Sequence, residues 1–177
     1  WSLLPFVKSF IIGSSFAKKA KQQGWDVTIF DNLSTGHKST VDELEELGIR
    51  VIIGDIRDRD LLSKETANCT AVVHLAAQVS VPLSVEKPEE TNDINVQGTD
   101  NVIQSCFDND VHRLVVASSA AVYGNADNLP LKEQDAGQIL SPYAESKWIN
   151  EQQILEARNN GLKATALRFF NVYGVGQ

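Results

Sequence analysis

The chain has 177 residues, which is enough for one domain with a substantial core but short for two. Its 42% hydrophobic and 22% charged residues are the balance of an ordinary globular protein, and its net charge of −7 argues against broad binding to nucleic acid or to an anionic membrane. The two cysteines, Cys69 and Cys106, are typical of a reducing compartment. We therefore expect a cytoplasmic protein without nucleic-acid or membrane partners.

The N-terminus and the histidines offer alternatives that the sequence disfavours. The stretch "WSLLPFVKSFIIGSSFA" has the apolar character of a signal peptide, but Lys8 interrupts it and no basic residue precedes it. His37, His74 and His112 are isolated, and neither cysteine has a partner at metal-ligand spacing, so we expect no metal site. No apolar run reaches the roughly 18 residues of a membrane span.

From Asp26 onward, short β-branched runs alternate with longer helical patterns. Continuous apolar runs of this kind predict strands that are buried on both faces of a parallel sheet. The predicted strands lie at 26–30, 50–54, 70–75, 112–118 and 163–169, and the predicted helices at about 13–23, 41–47, 58–66, 90–108 and 142–160. In the second helix, "STVDELEEL" predicts a Ser or Thr N-cap with acids in the first turn. The alternation predicts an α/β fold, a doubly wound parallel sheet with helices on both faces, as one unit over residues 1–177.

Each predicted strand is followed by small or polar residues. In chain order these ends reach Asp31, Asp55, Gln78, Ser119 and Asn171. Doubly wound sheets bind ligands beyond the carboxyl ends of their strands. The sequence therefore predicts a ligand crevice at that edge of the sheet.

Asp31 closes the second strand, 18 residues after Gly13. A carboxylate at this place suits hydrogen bonds from a ribose diol and repels a 2′-phosphate, which favours NAD over NADP. The alternative is an Asx turn in "DNLSTG", which any strand end can form.

The segment "SPYAESK" places Tyr143 and Lys147 four residues apart on one face of a helix that begins near Ser141 and Pro142. A nearby ammonium, together with the positive ring of a bound nicotinamide, would favour the phenolate and make Tyr143 an acid/base for a sugar hydroxyl. The alternative is an ordinary surface pair. Ser119, at the end of the fifth strand, adds a hydroxyl that can share the same substrate proton.

Taken together, these motifs resemble those of the extended short-chain dehydrogenase/reductases. Over about residues 11–177, Asp31, "GDIRD", "VHLAAQ", "NVQGT", "SSAAVYG", "YAESK" and "RFFNVYG" occur in the order and spacing of that family. The chain is most similar to the NAD-dependent epimerase/dehydratase type, and within it to UDP-glucose or UDP-N-acetylglucosamine 4-epimerases. The resemblance implies a Rossmann-like NAD(P)-binding domain, NAD as cofactor, a UDP-sugar substrate and pairing of subunits through the helix that carries Tyr143.

The resemblance also implies the residues of the site. Catalytic roles fall to Ser119, Tyr143 and Lys147, and substrate contacts to Ser119, Tyr143 and Asn171. Cofactor contacts fall to Ile11, Ile12, Gly13, Asp31, Asn32, Leu33, Ser34, Asp55, Ile56, Leu75, Ala76, Ala77, Gln78, Asn95, Ser119, Tyr143, Lys147 and Phe170. Asp55 and Ile56 would flank the adenine, and Leu75 to Gln78 would line the dinucleotide.

The implied reaction is epimerisation at C4. Tyr143 takes the C4 hydroxyl proton with help from Ser119, the C4 hydride passes to NAD⁺ and returns to the other face, and Lys147 holds the nicotinamide ribose. Sugar-nucleotide dehydratases carry an Asp-Glu pair just before V-Y-G, whereas this chain has Ala120 and Ala121, which transfer no protons. A related dehydratase or reductase is the alternative enzyme.

Two departures from the family pattern leave another alternative open. Aligned on Gly13, the first two glycines of the phosphate turn fall on Val7 and Phe10, and Pro5 interrupts the expected first strand. The sequence ends at Gln177, so we expect the C-terminal substrate domain to be absent. The alternative function is therefore a catalytically silent fragment or a weak nucleotide-binding module.

Overall fold

The computed structural model describes residues 2–6, 10–36, 38–127 and 129–174, and of residues 2, 4–6, 10 and 11 it describes the backbone alone. The strands are β1 (Ser2–Phe6), β2 (Asp26–Asp31), β3 (Arg50–Ile53), β4 (Ala71–His74), β5 (Arg113–Ser119) and β6 (Ala164–Phe169). The α-helices are α1 (Phe10–Gln22), α2 (Lys38–Glu46), α3 (Arg59–Thr66), α4 (Val81–Glu86), α5 (Pro88–Asn92), α6 (Gly98–Asp108) and α7 (Pro142–Asn159). A π-helical turn (Asp93–Gln97) joins α5 to α6, and 3₁₀ turns lie at Ala120–Tyr123 and Glu133–Asp135.

The strands form one sheet in the order β3-β2-β1-β4-β5-β6, and every pair is parallel. From β1 the chain adds β2 and then β3 on one side of the sheet. It then crosses to the other side of β1, where β4, β5 and β6 follow in order. Between β1 and β4 the direction of winding reverses, and ligands of doubly wound sheets bind beyond the strand ends at such a point. The predicted parallel α/β sheet is confirmed.

Both faces of the sheet are covered. Ile29 and Phe30 are neighbours on β2, so their side chains point to opposite faces, and both are almost inaccessible to solvent. Ile29 belongs to a buried cluster with Leu44 of α2, whereas Phe30 belongs to a second cluster with Leu62 of α3 and Val102 of α6. Two apolar layers therefore fix the strand ends that carry the candidate site.

Two helical features differ from the sequence prediction. The helix α4 was not predicted, because its six residues are too few to show a helical period; Ser80 caps it by accepting a 3.2 Å hydrogen bond from the Leu83 N–H. The predicted helix over 90–108 is divided into α5, the π-helical turn and α6. Nothing in the residue pattern marks the extra residue that a π-turn inserts.

The boundaries of α1 and α2 also need correction. The helix α1 begins at Phe10 instead of residue 13, and α2 begins at Lys38 instead of residue 41. Ser39 and Thr40 therefore lie inside α2, so neither is the predicted N-cap, and the first turn holds no acid. A cap contributes only about 1 kcal/mol, which the burial of Leu44 outweighs.

The N-terminal strand exists despite its proline. Pro5 lies in the central strand β1, opposite Val73 of β4. Val7 lies outside the described residues, as does the side chain of Phe10, so the effect of the two missing glycines on nucleotide binding stays a prediction. No helix among the described residues is long and apolar enough to cross a membrane.

Candidate active site

A cleft of about 580 Å³ lies at the carboxyl ends of β4, β5 and β6. Ser119 ends β5, Tyr143 and Lys147 project from the first half of α7, and Phe170 and Asn171 follow β6. The lining side chains belong to Ile12, Leu75, Ala77, Val79, Ala117, Ser118, Ser119, Tyr143, Lys147, Phe169, Phe170, Asn171, Val172 and Tyr173. The fold thus brings the three predicted catalytic residues together with the predicted Ile12, Leu75, Ala77, Phe170 and Asn171.

A second, narrow cleft lies at the ends of β2 and β3. Its walls include Asp31, Asn32, Asp55, Ile56 and Ala76, all predicted to contact the cofactor. The loop after β4 borders both clefts, because Leu75 and Ala77 line the large one whereas Ala76 lines the narrow one. The two clefts therefore flank the reversal of winding between β1 and β4, where an extended two-part ligand would lie across this loop.

Asp31 is held in a tight turn at the mouth of the narrow cleft. One carboxylate oxygen accepts a 2.6 Å hydrogen bond from the Leu33 N–H, and Leu33 has a positive φ of 54°. Asn32 forms the next turn of the chain in the same way, because its Oδ1 accepts a 3.1 Å hydrogen bond from the Ser34 N–H. The Asx turn that was the alternative reading of Asp31 is present, and it fixes the carboxylate at the strand end.

Asp55 is anchored by a fork-shaped ion pair. Arg57 donates to both carboxylate oxygens, from Nε at 2.9 Å and from Nη2 at 2.8 Å, and reaches Asp93 through Nη1 at 2.9 Å. Asn32 Nδ2 donates a further bond to Asp55 at 3.0 Å. Arg57 above all holds the pKa of Asp55 far below its usual range. The wall of the narrow cleft therefore carries a carboxylate that stays ionised at ordinary pH.

Tyr143 is buried at the start of α7, where Pro142 occupies the first turn and Ser141 Oγ caps the helix by accepting from the Ala144 N–H at 3.1 Å. The predicted helix start is confirmed. Burial raises the pKa of Tyr143, and a hydrogen bond with the Ser119 hydroxyl acts in the opposite direction. Ser119 also accepts from the Ala121 N–H at 3.2 Å, which orients its hydroxyl.

Lys147 is buried and hydrogen-bonded to the backbone of β5. Its Nζ donates a 2.8 Å hydrogen bond to the Ala117 carbonyl oxygen, and the residue is only 4% exposed. Burial lowers the pKa of Lys147 to about 8. The effect of the Lys147 ammonium and of a bound nicotinamide on Tyr143 stays a prediction.

The side chain of Asn95 is hydrogen-bonded to two segments that carry the candidate site. Its side chain accepts from the Gln78 N–H at 2.7 Å and donates to the Gln78 carbonyl and the Ser146 hydroxyl, both at 2.9 Å. Ser146 in turn donates to the Tyr143 carbonyl at 2.8 Å. The π-helical turn thus joins the loop after β4 to the start of α7, and Asn95 reaches the predicted cofactor region through Gln78.

Other predicted residues lie away from the cleft walls. Gly13 is buried within α1, and Leu33, Ser34, Gln78 and Asn95 border neither cleft. The side chain of Ile11 is outside the described part of the chain. Sequence reasoning missed part of the lining of the large cleft: Val79, Ala117, Ser118, Phe169, Val172 and Tyr173. The alternation of side chains along β5 could have indicated Ala117, because it lies two residues before Ser119 and so on the same face of the strand.

Comparisons with known proteins show the family of this chain. The model of the NAD dependent epimerase/dehydratase family matches residues 10–177. The chain is 39% identical over 166 residues to a UDP-glucose 4-epimerase of Lactobacillus helveticus, covering 92% of this chain and 49% of that protein. In general, it spans about half the length of the curated relatives that it matches.

Solved structures show the same fold. UDP-glucose 4-epimerase from Brucella ovis, in complex with NAD, has a TM-score of 0.88 at 34% identity, covering 96% of this chain and 52% of that one. UDP-glucose 4-epimerase from Thermotoga maritima, with UDP-glucose, has a TM-score of 0.91 at 28% identity, covering 98% of this chain and 57% of that one. With its strand order, its two clefts and the family match over almost its whole length, the chain belongs to the NAD dependent epimerase/dehydratase family.

Proposed function

We propose that this chain binds NAD across the two clefts and serves a UDP-hexose 4-epimerase reaction in which Ser119, Tyr143 and Lys147 are catalytic. One observation carries the proposal: these three side chains line a single cleft of about 580 Å³, next to a second cleft that holds Asp31 and Asp55. The relatives named above add support, because they are UDP-glucose 4-epimerases.

The described residues fit a dinucleotide. Asp31 offers a carboxylate to a ribose diol at the narrow cleft, and Asp55 and Ile56 form the wall where an adenine would lie. Leu75 and Ala77 give the large cleft an apolar side for a nicotinamide. Gln78 follows Ala77 on the loop that borders both clefts, and its buried Oε1 has no hydrogen-bond partner among the described residues. When bound, NAD supplies the acceptor and donor of the hydride at the sugar C4.

The chain's own residues would handle the proton. Tyr143 takes the proton of the C4 hydroxyl and returns it, while Ser119 hydrogen-bonds the same hydroxyl. Because burial raises the pKa of Tyr143 and the Lys147 ammonium is bound to Ala117, we expect Tyr143 to become basic only when further positive charge enters the cleft. Asn171, which is exposed after β6, would meet the substrate diphosphate.

The residues after Ser119 favour epimerisation over dehydration. Ala120 and Ala121 open the 3₁₀ turn that follows β5, so the place next to the catalytic hydroxyl holds methyl groups instead of carboxyl groups. Elimination of water from a sugar needs a further acid and base, which this turn does not provide. The remaining apparatus suits oxidation and reduction at C4 alone.

Calorimetric titration of the purified chain with NAD⁺ tests the proposal. We expect saturable binding, followed by turnover of UDP-glucose or UDP-N-acetylglucosamine in a coupled assay. Tyr143→Phe should abolish turnover and keep NAD⁺ binding, whereas the control Tyr173→Phe, at an exposed tyrosine of the same cleft, should keep both. No binding of NAD⁺ contradicts the whole proposal, and binding without turnover contradicts its catalytic part.

Two further parts of the proposal concern assembly and location. We propose that two copies pair through α7, where Leu155 is exposed and Trp148 and Ile149 are half-buried; a monomer in sedimentation velocity would contradict this.

We also propose a cytoplasmic location, which the two buried cysteine thiols Cys69 and Cys106 support. Localisation of a tagged chain in the source cell checks it.

A further inference from the structure

The helix α7 carries a third polar side chain on the stripe of Tyr143 and Lys147. Glu151 follows Lys147 by four residues, so all three lie on one face of the helix. Each contacts β5: Tyr143 meets the Ser119 hydroxyl, Lys147 donates to the Ala117 carbonyl, and Glu151 accepts a 2.5 Å hydrogen bond from Ser118 Oγ.

Glu151 also binds β6 through a fork-shaped ion pair. Arg168 Nε donates to its Oε1 at 2.8 Å and Arg168 Nη2 donates to its Oε2 at 2.7 Å. The side chains are only 11% and 17% exposed, for Glu151 and Arg168 respectively. A two-point contact between an arginine and a carboxylate fixes orientation as well as distance.

The Nη1 group of Arg168 is occupied too. Its Nη1 donates to the Tyr123 hydroxyl at 3.0 Å and to the Glu133 carbonyl at 2.6 Å, and its Cζ lies 5.0 Å from the centre of the Tyr123 ring. The Tyr123 ring stacks on Phe170 with centroids 6.0 Å apart. Phe170 and Ser118 both line the large cleft, so this network ends on the walls of the candidate site.

We propose that Glu151 is a positioning residue that fixes α7 against β5 and β6 and so holds Tyr143 and Lys147 in place at the cleft. The inference deepens the proposed function and rests on it. Glu151 borders neither cleft itself, and it acts on the catalytic residues through Ser118, Arg168 and the helix. Removing its charge leaves Arg168 with a partly buried, uncompensated charge, which loosens the helix at this point.

The test follows Lys147 by NMR in the variant Glu151→Gln. The lysine side-chain resonances are titrated with pH, and Lys147 is assigned with Lys147→Arg. The pKa of Lys147 is held at about 8 by burial. If α7 loosens, water reaches the ammonium, and the titration midpoint in Glu151→Gln should rise by about one unit towards that of a solvated lysine. NAD⁺ affinity should fall about tenfold.

The matched control is Glu65→Gln. Glu65 on α3 is 9% exposed and paired at 3.0 Å with Arg50, which is 64% exposed, so the same chemical change occurs at a similarly buried glutamate away from the cleft. Glu65→Gln should leave both the Lys147 midpoint and NAD⁺ affinity as in the wild-type chain. A Lys147 midpoint that is unchanged in Glu151→Gln, or that shifts equally in Glu65→Gln, overturns the proposal.

Ser118→Ala provides a milder variant in case Glu151→Gln fails to fold. It removes one hydrogen bond to Glu151 and leaves the ion pair with Arg168 intact, so the Lys147 midpoint should rise by a smaller amount. A folded Ser118→Ala chain with the wild-type midpoint contradicts the positioning role. If the wild-type chain does not bind NAD⁺, the proposed function fails, and the Lys147 titration still decides whether Glu151 positions the helix.

Discussion

The Nζ atom of Lys147 donates a 2.8 Å hydrogen bond to the carbonyl oxygen of Ala117, so the lysine of α7 is tied to the backbone of β5 at the floor of the large cleft. The contact satisfies one donor of a charge that is otherwise removed from water, and burial still lowers its pKa to about 8. With this pKa Lys147 is still mostly protonated at neutral pH, but it lies close enough to its titration midpoint for a charge that enters the cleft to change its protonation.

The first prediction concerns Lys147 and stability in alkali. Burial lowers the pKa of Lys147 in the folded chain to about 8, whereas in the unfolded chain it has its ordinary value of 10.5. Between these two pH values Lys147 is therefore more protonated in the unfolded chain than in the folded one. In this window the contribution of Lys147 to the free energy of unfolding should rise with pH, by up to about 1.4 kcal/mol per pH unit. Urea unfolding of wild-type and Lys147→Met chains across the window measures it.

Lys163→Met serves as the control for this experiment, because Lys163 is exposed at the start of β6. The difference in free energy of unfolding between Lys163→Met and the wild-type chain should stay constant with pH. A stability difference between the wild-type chain and Lys147→Met that is flat from pH 8 to 10 would show that the ammonium is not desolvated.

The second prediction concerns stability in acid. His74 is buried at the end of β4, with Nε2 2.9 Å from Thr99 Oγ1, and burial lowers its pKa to about 3, with a smaller contribution from Lys147. Between pH of about 6.5 and 3 the unfolded chain binds the proton that the folded chain excludes, so stability falls as pH falls, by up to about 1.4 kcal/mol per pH unit. His74→Gln should remove this part of the acid sensitivity.

Denaturant unfolding between pH 4 and 7 compares the two chains, with His112→Gln at an exposed histidine as the control. The control should keep the full slope of stability against pH. If His74→Gln keeps it as well, the acid sensitivity comes from carboxyl groups and the prediction for His74 is wrong.

The third prediction concerns the choice of cofactor. Asp31→Asn keeps an oxygen that can accept from the Leu33 N–H, so the turn survives while the negative charge is lost. If the carboxylate binds a ribose diol, affinity for NAD⁺ should fall about tenfold, and the preference for NAD⁺ over NADP⁺ should narrow, since repulsion of the 2′-phosphate disappears. Calorimetry with both dinucleotides measures the ratio; an unchanged ratio would place the ribose elsewhere.

The fourth prediction concerns the turn after the catalytic strand. Gly124 has φ of 56° and ψ of −129°, a conformation that side chains strongly disfavour, and a Cβ atom there would overlap the Gln138 carbonyl oxygen. Gly124→Ala should therefore lower the free energy of unfolding by about 3 kcal/mol. Gly161→Ala separates the two causes, because Gly161 also has a positive φ, 99°, but open space around its Cα.

We expect Gly161→Ala to cost about 1 kcal/mol, the part that comes from backbone conformation alone. Urea unfolding gives both values. Equal losses in the two variants would show that the contact with Gln138 relaxes and that φ alone decides the cost.

The strands and the helix α7 show how much of the fold could be predicted from local sequence patterns. The apolar runs predicted the strands to within a residue or so, because alternation and burial are properties of consecutive residues. The spacing of Tyr143 and Lys147 predicted one helical face, and their meeting with Ser119 follows from the geometry of a parallel sheet. The π-helical turn that places Asn95 was not predicted. The hydrogen bonds of Asn95 with Gln78 and Asn150 join residues that lie 17 and 55 positions apart in the chain, so the local sequence pattern does not indicate them.

By itself, the sequence determined the alternating α/β pattern, the polar strand ends and the family, because all of these rest on periodicity, turn chemistry and the spacing of motifs. Only the tertiary structure decided which groups each buried side chain meets. Lys147 lies 30 residues from Ala117, and Glu151 lies 17 residues from Arg168. Neither contact can therefore be predicted from the spacing of residues within one helix or strand. The physical reason is desolvation: a buried charge must find a partner wherever the folded chain supplies one, and that place is set by packing.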